Sequence, residues 1–401
     1  MTENNSINLN NPDFFQNPYP FYAKLRTSGK PYWLPHKQES TSNGVLLFTR
    51  YKDALTIFKE TTKISKEIRS VRPKGTENIF DLHILHRDGI DHSRLRLLIS
   101  KYFSMQYISN MEDLISSVAE TLIEDIKKKK TTDLIIDYAE QLPLHIIADL
   151  MGIPVQDMKN VRKWSLVIGD SFDSLLINDE ILIQQKKSLT SFLAYVNTII
   201  ADKKNSPDDT LIGFLIDSEE KNKISSDELV AMVSFLLFAG HETTINLIGN
   251  GLWLLLSHPE QWQLLQDKPD LLPNAVEEIL RYESPEQRTS FRTVKEPMDI
   301  NGTKVNKGDQ IGVVIGSANH DESEFENAHI FDIQRTPNRH LAFGIGTHNC
   351  LGKTLARVET QIALQKILEH LPRLQLIDHT PCWRKNSFFR GLSTLHANIE
   401  I

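Results

Sequence analysis

Residues 341–357, LAFGIGTHNCLGKTLAR, set Gly344, Gly346 and Gly352 around Cys350, in a chain of 401 residues with one other cysteine, Cys382. Gly344 and Gly346 permit a sharp turn ahead of the thiol, and Gly352 clears a side chain from beside it, so a flat object could lie against the backbone. After Cys350 the apolar residues Leu351, Leu355, Val358, Ile362, Ala363, Ile367 and Leu371 recur at helical spacing, which predicts a helix starting at the loop. A sulfur at a helix N-terminus meets unpaired N–H groups and the positive end of the macrodipole, so a thiolate is expected. On these residues alone two readings stay open: an inert buried cysteine beside a glycine turn, or a thiolate beneath a flat iron-bearing cofactor, which is haem. A zinc site would need more cysteines or a tight histidine cluster, and covalent haem attachment would need C-x-x-C-H; neither accompanies Cys350.

A second group of polar residues lies inside the most apolar stretch, LVAMVSFLLFAGHETTINLIGNGLWLLL at 229–256, with Ala239, Gly240, His241, Glu242, Thr243 and Thr244 at its centre. A glycine and a hydroxyl in mid-helix weaken the backbone ladder, because threonine can bond back to a carbonyl. A satisfied hydrogen-bond network accounts for the same residues. Glu278 and Arg281 in NAVEEILRYESP stand three apart on one predicted helix and can pair, as many surface residues do. His92 and Arg96 in GIDHSRLRLLISKYF stand four apart on one helical face, either as carboxylate-binding groups or as solvated basic residues.

The elements that must position these residues are mainly helical. Helical patterning covers about 90–285 and 350–371, and DYAEQLPLHIIADLMGIP at 137–154 ends on Gly152 and Pro154, as a helix stop should. Extended signals collect at about 30–55, 290–316 and 385–401. They include GVLLFTRY at 44–51 and PMDINGTKV at 297–305, the latter turning on Asn301-Gly302. Early and late β segments must meet, so residues 1–401 are expected to form a single large domain, mainly α with a small β region. Lys127–Lys130 reads as a solvated helix end.

Composition narrows the partners. With 40% hydrophobic and 24% charged residues and a net charge of −7, nothing suggests nucleic acid, and small-molecule chemistry is the better expectation. The start, MTENNSINLNNPDFFQNPYPFY, has no basic region followed by an apolar core, so neither leader nor anchor is expected. Glu242 at mid-bilayer would cost roughly 2.5–3.5 kcal/mol, so 229–256 reads as a buried helix and not a membrane span. Two cysteines fit a reducing cytosol, and a cytoplasmic monomer is expected.

FGIGTHNCLGKTLAR fills every fixed position of F-G-x-G-x-H-x-C-L-G-x-x-L-A-R, and through it the chain resembles the cytochrome P450 family. The Ala239–Thr244, Glu278/Arg281 and His92/Arg96 groups match further family segments in the family's order, and the resemblance spans about residues 12–400. It implies the cytochrome P450 fold, with a long central helix over haem b and Cys350 as the axial thiolate on iron. Phe343, Gly344 and Gly352 would line the cofactor from the loop, Ala239 and Gly240 from the central helix. His92, Arg96, Arg292 and His348 would meet the propionates. Glu242 and Thr243 would relay protons. Glu278 and Arg281 would be structural, with Arg335 or His340 as third partner.

The implied activity is insertion of one oxygen atom from O2 into a hydrophobic small molecule, by hydroxylation or epoxidation. Electrons would come from NAD(P)H through ferredoxin or flavodoxin and a reductase, docking on the Cys350 side with Lys353 as a contact. Substrate-facing residues would be Phe235, Phe238, Ala239, Thr289, Ser290, Phe291, Phe388 and Phe389, with the stretches at about 64–86, Gln287–Phe291 and Ser387–Phe389. The AGHETT form is similar to a bacterial branch that tailors polyketides, macrolides and acyl chains, free or bound to carrier proteins. Two rivals are a hydrogen-peroxide-driven peroxygenase and a non-catalytic haem-binding recruitment module. The Glu242 and Thr243 pair speaks against both.

Overall fold

A helix of 32 residues, Ser226–Ser257, forms the spine of the computed structural model, which describes residues 11–35, 44–67, 79–173 and 178–400. Its start is set locally. Ser225 Oγ accepts the Glu228 N–H at 3.1 Å, and the Glu228 carboxylate accepts the Ser225 N–H at 2.9 Å, a reciprocal cap that satisfies two otherwise orphaned donors. The helix is apolar enough by composition to cross a membrane, but it is largely buried among other helices. Gln141–Met151, Asp179–Asn205, Leu272–Tyr282 and Lys353–His370 all pack against it, so its apolar surface is covered inside the protein.

Along its middle, Phe235, Ala239, Gly240 and Thr243 stay partly accessible while the flanking residues are buried. Phe235, Ala239 and Thr243 follow one another at four-residue spacing and so share a face. An accessible strip on an enclosed helix marks a cleft beside it.

Strands from both ends of the chain share sheets. One five-stranded sheet runs in the order Tyr32–Pro35, Gly44–Phe48, Gln310–Val313, Arg292–Val294, Ile64–Ser65. Its Gly44–Phe48 and Gln310–Val313 strands are parallel, with Leu46 opposite Ile311, and the other pairings are antiparallel. Ile64 faces Val294, which carries Lys66, just past the edge strand, towards the Ser290–Arg292 segment. The hairpin of Met298–Ile300 with Thr303–Val305 turns on Asn301 at φ 49° and Gly302 at φ 96°, as its sequence predicts.

Several boundaries differ from the sequence expectation. A short strand, Thr131–Asp133, interrupts the helical body and pairs with His396–Asn398; a threonine pair just past the Glu112–Lys127 helix suits an edge strand better than another turn. The extended stretch at 44–51 stops at Phe48, because the Asp321 carboxylate accepts the Tyr51 N–H at 2.7 Å and Tyr51 opens the helix Tyr51–Lys59. Late strands begin before residue 385, at Gln375–Leu376 and Cys382–Trp383. Within 137–154 a wide turn at Ile135–Ala139 leads into Gln141–Met151, which Gly152 closes at φ +69°.

Candidate functional site

The cysteine loop is built on two left-handed glycines, Gly344 at φ +59° and Gly346 at φ +77°. A Cβ on Gly346 would stand 2.6 Å from the Phe58 carbonyl oxygen, so that position has no room for a side chain. The loop closes when the Cys350 N–H donates to Phe343 O at 2.8 Å. Helix Lys353–His370 starts three residues after the cysteine, so Cys350 precedes the first turn instead of sitting in it. Its thiol is exposed, yet set among enough protein that burial pushes it up to about 11, against the weaker pull of the Gly352 N–H. Desolvation opposes ionisation of the sulfur, while the loop N–H and nearby basic groups favour it. A metal would have to displace the proton on binding. Space beside Gly352 is open for 4 Å.

Two carboxylates brace this loop. Arg281 and Glu278 are fully buried and paired through two bonds of 2.7 Å, the fork geometry in which such pairs are strongest. Arg281 also donates to Asn319 O at 3.0 Å and Ala328 O at 2.8 Å, while Arg335 and Asn338 donate to Glu278 at 3.2 and 3.0 Å. Asn319 Oδ1 in turn accepts the Leu341 N–H at 2.7 Å, so the pair fixes the approach to the loop. His340 is not a partner of Glu278. Its Nε2 lies 2.9 Å from Glu277, whose other contacts are two bonds from Arg357 at 2.6 and 2.8 Å. Burial would raise the Glu277 carboxyl, but Arg357 and His340 pull it down to about 2. Arg357 lies 4.6 Å over the Phe343 ring, a second brace behind Cys350.

Basic groups gather at the cleft. Arg96 donates to Asn349 O at 2.9 Å and Asn349 Oδ1 at 2.5 Å, gripping the residue before the cysteine. Arg292 is buried, donates to Thr289 Oγ1 at 3.2 Å and lies 5.0 Å over the Phe58 ring. Burial lowers it to about 10, which leaves it charged at neutral pH. The His92 ring lies 4.3 Å from that of His348, tilted by 52°, and burial takes His92 down to about 4, so it is present as neutral imidazole. Its Nδ1 is buried without a partner among the described residues.

His348 bonds Asp88 at 2.9 Å, and Asp88 also accepts from Ser65 Oγ at 2.6 Å and the Lys66 N–H at 2.9 Å. Burial would raise Asp88, but these bonds hold it well below the usual carboxylate range. Lys66, which sequence reasoning missed, is buried and donates through Nζ to Ser290 Oγ. Lys66, Arg96 and Arg292 therefore stand as three basic groups around a cleft that also holds an exposed cysteine and an unpartnered imidazole nitrogen, with burial and Arg292 pulling Lys66 well below its ordinary value. This donor set fits a flat dicarboxylate carrying a thiol-binding metal. Among the described residues no three His, Cys, Asp or Glu side chains gather to hold a metal without it.

On the central helix, Glu242 is 2% exposed. Arg162 pairs with Oε2, Arg384 bonds Oε1 at 2.5 Å, and Asn246 reaches it at 3.3 Å. Burial would raise this carboxyl, but Arg384 and Arg162 take it down to about 2. The expected proton donor is thus an ion-paired carboxylate with no proton of its own to pass on. Gly240 also departs from expectation. A Cβ there would stand 2.6 Å from Ile147 Cδ1, so the glycine admits the neighbouring helix. The back-bond expected of a mid-helix hydroxyl is made by Ser234, 2.7 Å from Val230 O.

The expected pocket residues divide. Phe238, Phe388 and Phe389 are buried in an aromatic cluster with Phe172, with ring centroids 4.9–5.8 Å apart for the nearer pairs, so they are packing and not open wall. Thr289 is buried too, its hydroxyl taken by the Val313 N–H and Arg292, each at 3.2 Å. Phe235, stacked 4.1 Å from His83, and Ala239, Thr243, Ser290 and Phe291 remain partly accessible. Of the 64–86 stretch, residues 68–78 lie outside the described residues. Lys353 is half-buried.

Comparison with known proteins agrees with this arrangement. The chain matches the family described as Cytochrome P450 over residues 16–270 and 261–399. It is 34% identical over 400 residues to the polyketide biosynthesis cytochrome P450 PksS of Bacillus subtilis, covering 97% of each chain. It is also 34% identical to the biotin biosynthesis cytochrome P450 of the same organism, covering 97% of this chain and 98% of that one. Among solved structures, a myxobacterial cytochrome P450 in complex with myristic acid superposes with a TM-score of 0.90 at 32% identity, covering 98% of this chain and 99% of the other. P450BioI in complex with a hexadec-9Z-enoic acid ligated acyl carrier protein gives 0.88 at 33% identity, covering 97% and 99%. With the cysteine loop, its cations and the long central helix in place, this chain belongs to the cytochrome P450 family of haem-thiolate monooxygenases.

Proposed function

We propose that the protein oxidises an apolar small molecule of secondary metabolism, held along the accessible strip of Phe235, Ala239 and Thr243. The observation that carries this reading is that strip, an open wall on a helix otherwise largely buried in the core, in a chain whose exposed cysteine follows Asn349, the residue that Arg96 grips. Relatives named for polyketide and biotin biosynthesis, and solved relatives holding myristic acid or a carrier-bound C16 acyl chain, support an extended apolar substrate, free or on a carrier protein.

Cys350 would be the iron ligand, with Arg96, Arg292 and Lys66 holding the haem carboxylates. Bound there, the haem supplies oxygen activation, which a thiolate ligand promotes by favouring O–O cleavage. Thr243 is the hydroxyl on the accessible strip and would hold a proton or a water there. Glu242, one residue away and held anionic by Arg162 and Arg384, would orient that region and complete a proton relay with Thr243. The apolar wall excludes bulk water.

Electrons would reach the site from NAD(P)H through a ferredoxin or flavodoxin and its reductase, docking beside Cys350. The chain would act as one cytoplasmic domain and as a monomer. The rival peroxide-driven and non-catalytic readings find no support among the relatives.

Replacing Thr243 with alanine tests the assignment. Haem content and the ferrous carbonyl band should be unchanged, while product formed per NAD(P)H falls and hydrogen peroxide release rises. Unchanged product per NAD(P)H would remove Thr243 from proton delivery.

A further inference from the structure

One buried guanidinium is left largely unbonded. Arg288 is 3% exposed and lies in the stretch Gln287–Phe291. Two other buried arginines use all three of their nitrogens: Arg281 donates to Glu278 and to three carbonyls, and Arg390 to Glu283, Phe15 O and Gln16 O. Arg288 bonds through Nη2 alone, to Phe172 O and Asp173 Oδ1, both at 3.3 Å. Its Nε and Nη1 are buried without a partner among the described residues. Asp173 gives its shorter bonds to Ser387, accepting from Oγ at 2.7 Å and from the backbone N–H at 2.5 Å. The contact with Arg288 is long beside the 2.7–2.9 Å usual for a charge-assisted pair.

Arg288 and Ser387 border a small cavity whose other walls include Phe14, Tyr22, Leu25, Leu34, Leu47 and Val314. Among its lining residues Arg288 is the one that carries a charge, and arginine keeps its proton even when buried. Three N–H groups of a desolvated cation therefore lack an acceptor, a cost that a native protein generally meets from outside the chain. An apolar chamber with one such cation suits an apolar molecule that ends in an anion. A carboxylate is the organic anion small enough for this space, and its bonds to a guanidinium are roughly twice as strong as those of a neutral acceptor. A hydroxyl or an ester carbonyl would fill the hydrogen bonds and leave the charge unanswered. The cavity also has a route to the reacting face. Arg288 Cζ lies 5.3 Å from the Phe388 ring, Phe388 lies 5.8 Å from Phe172, and Phe172 lies 5.5 Å from Phe238, the neighbour of Ala239 on the accessible strip.

We propose that Arg288 is a specificity residue that receives the carboxylate of an extended apolar acid, so that the free acid is preferred over its alcohol or ester and oxidation falls on the chain. This rests on the haem-bound cleft of the preceding section and narrows its substrate class.

The test uses the holoenzyme and three probes of one chain length: dodecanoate, 1-dodecanol and methyl dodecanoate. Binding is followed by the haem absorbance change and, independently, by calorimetry. Wild type should bind the acid at least tenfold more tightly than the alcohol or the ester. Arg288→Gln should abolish that preference, and Arg288→Lys should keep part of it. Because the ligands are compared within one protein, a general loss of affinity or stability in a variant leaves the ratio readable, and the wild-type ratio stands even if Arg288→Gln fails to fold. Equal binding of the three probes by wild type would mean that water serves the two free nitrogens and would overturn the assignment. So would a preference for the acid that survives in Arg288→Gln, which would place the carboxylate on another cation. The ferrous carbonyl band separates the two readings. A missing thiolate band in wild type overturns the haem-thiolate site, whereas a normal band without acid preference overturns Arg288 alone.

Discussion

Arg384 reaches Glu242 across 142 residues of sequence, Nη1 to Oε1 at 2.5 Å, and Arg162 takes the other carboxylate oxygen. Both arginines also hold a second acid, Glu140 for Arg162 at 2.9 Å and Asp170 for Arg384 at 3.4 Å. The network therefore ties the late β segment and the Met158–Asp170 helix to the middle of the central helix. Removing Arg384 leaves the Glu242 carboxylate on Arg162 alone, so the loss should be about 2 kcal/mol, below the 3–5 kcal/mol typical of breaking a buried pair outright. Arg384→Met should lower the unfolding free energy by about 2 kcal/mol in denaturant titrations. A loss below about 1 kcal/mol, typical of an exposed pair, would show that solvent reaches the site.

The same carboxylate sets an acid limit. Its pKa falls from the ordinary 4.5 to about 2 in the fold, so its contribution is complete above about 4.5 and is lost as pH drops through about 2. Each tenfold change in proton affinity corresponds to about 1.4 kcal/mol, giving about 3 kcal/mol across that window. Glu242→Gln should therefore be less stable than wild type at pH 6, and the gap should close towards pH 2. A gap independent of pH would mean that the carboxylate is not held ionised.

Gly346 and Gly352 flank the same cysteine and should answer alanine differently. Gly346 has positive φ and a carbonyl 2.6 Å from where a Cβ would go, so Gly346→Ala should destabilise the fold. Gly352 has φ −79° and nothing within 4 Å. Gly352→Ala should change the stability of the haem-free protein by no more than about 0.5 kcal/mol, yet speed haem loss to an acceptor such as apomyoglobin. Unaltered haem loss would show that the open space there is not where the cofactor lies.

The cysteine loop and the Glu278–Arg281 pair were legible because both are local: their residues lie within a few positions of each other and their chemistry needs that spacing. His348, Arg96 and Arg292 could be nominated singly, but not their contacts. Asp88 lies 260 residues from His348, Glu277 lies 80 from Arg357, and Lys66 lies 224 from Ser290. No periodicity reports such pairings: Lys66 meets Ser290 because strand Ile64–Ser65 joins Arg292–Val294 at the sheet edge, and Glu277 meets Arg357 because helices Leu272–Tyr282 and Lys353–His370 pack together. Phe238, Phe388 and Phe389 misled for a related reason. An apolar wall and an apolar core use the same residue types, and only accessibility separates them.

Glu359 lies in the second turn of the helix Lys353–His370, 1% exposed, with Oε2 unpartnered among the described residues. Burial alone pushes its carboxyl up to about 8, so at pH 7 it is a neutral acid in the core. A raised carboxylate works in the opposite direction to Glu242. The folded state binds a proton that the unfolded chain has already released above pH 4.5, so stability declines as pH climbs from about 5 through 8. Glu359→Gln keeps the shape and removes the titration. The variant should match wild type near pH 5 and melt at a higher temperature at pH 8.5, by an amount worth a few kcal/mol, about 1.4 for each tenfold difference in proton affinity. Parallel melting curves from pH 5 to 8.5 would mean that Glu359 is charged in the folded protein, stabilised by a water that supplies the missing hydrogen bond.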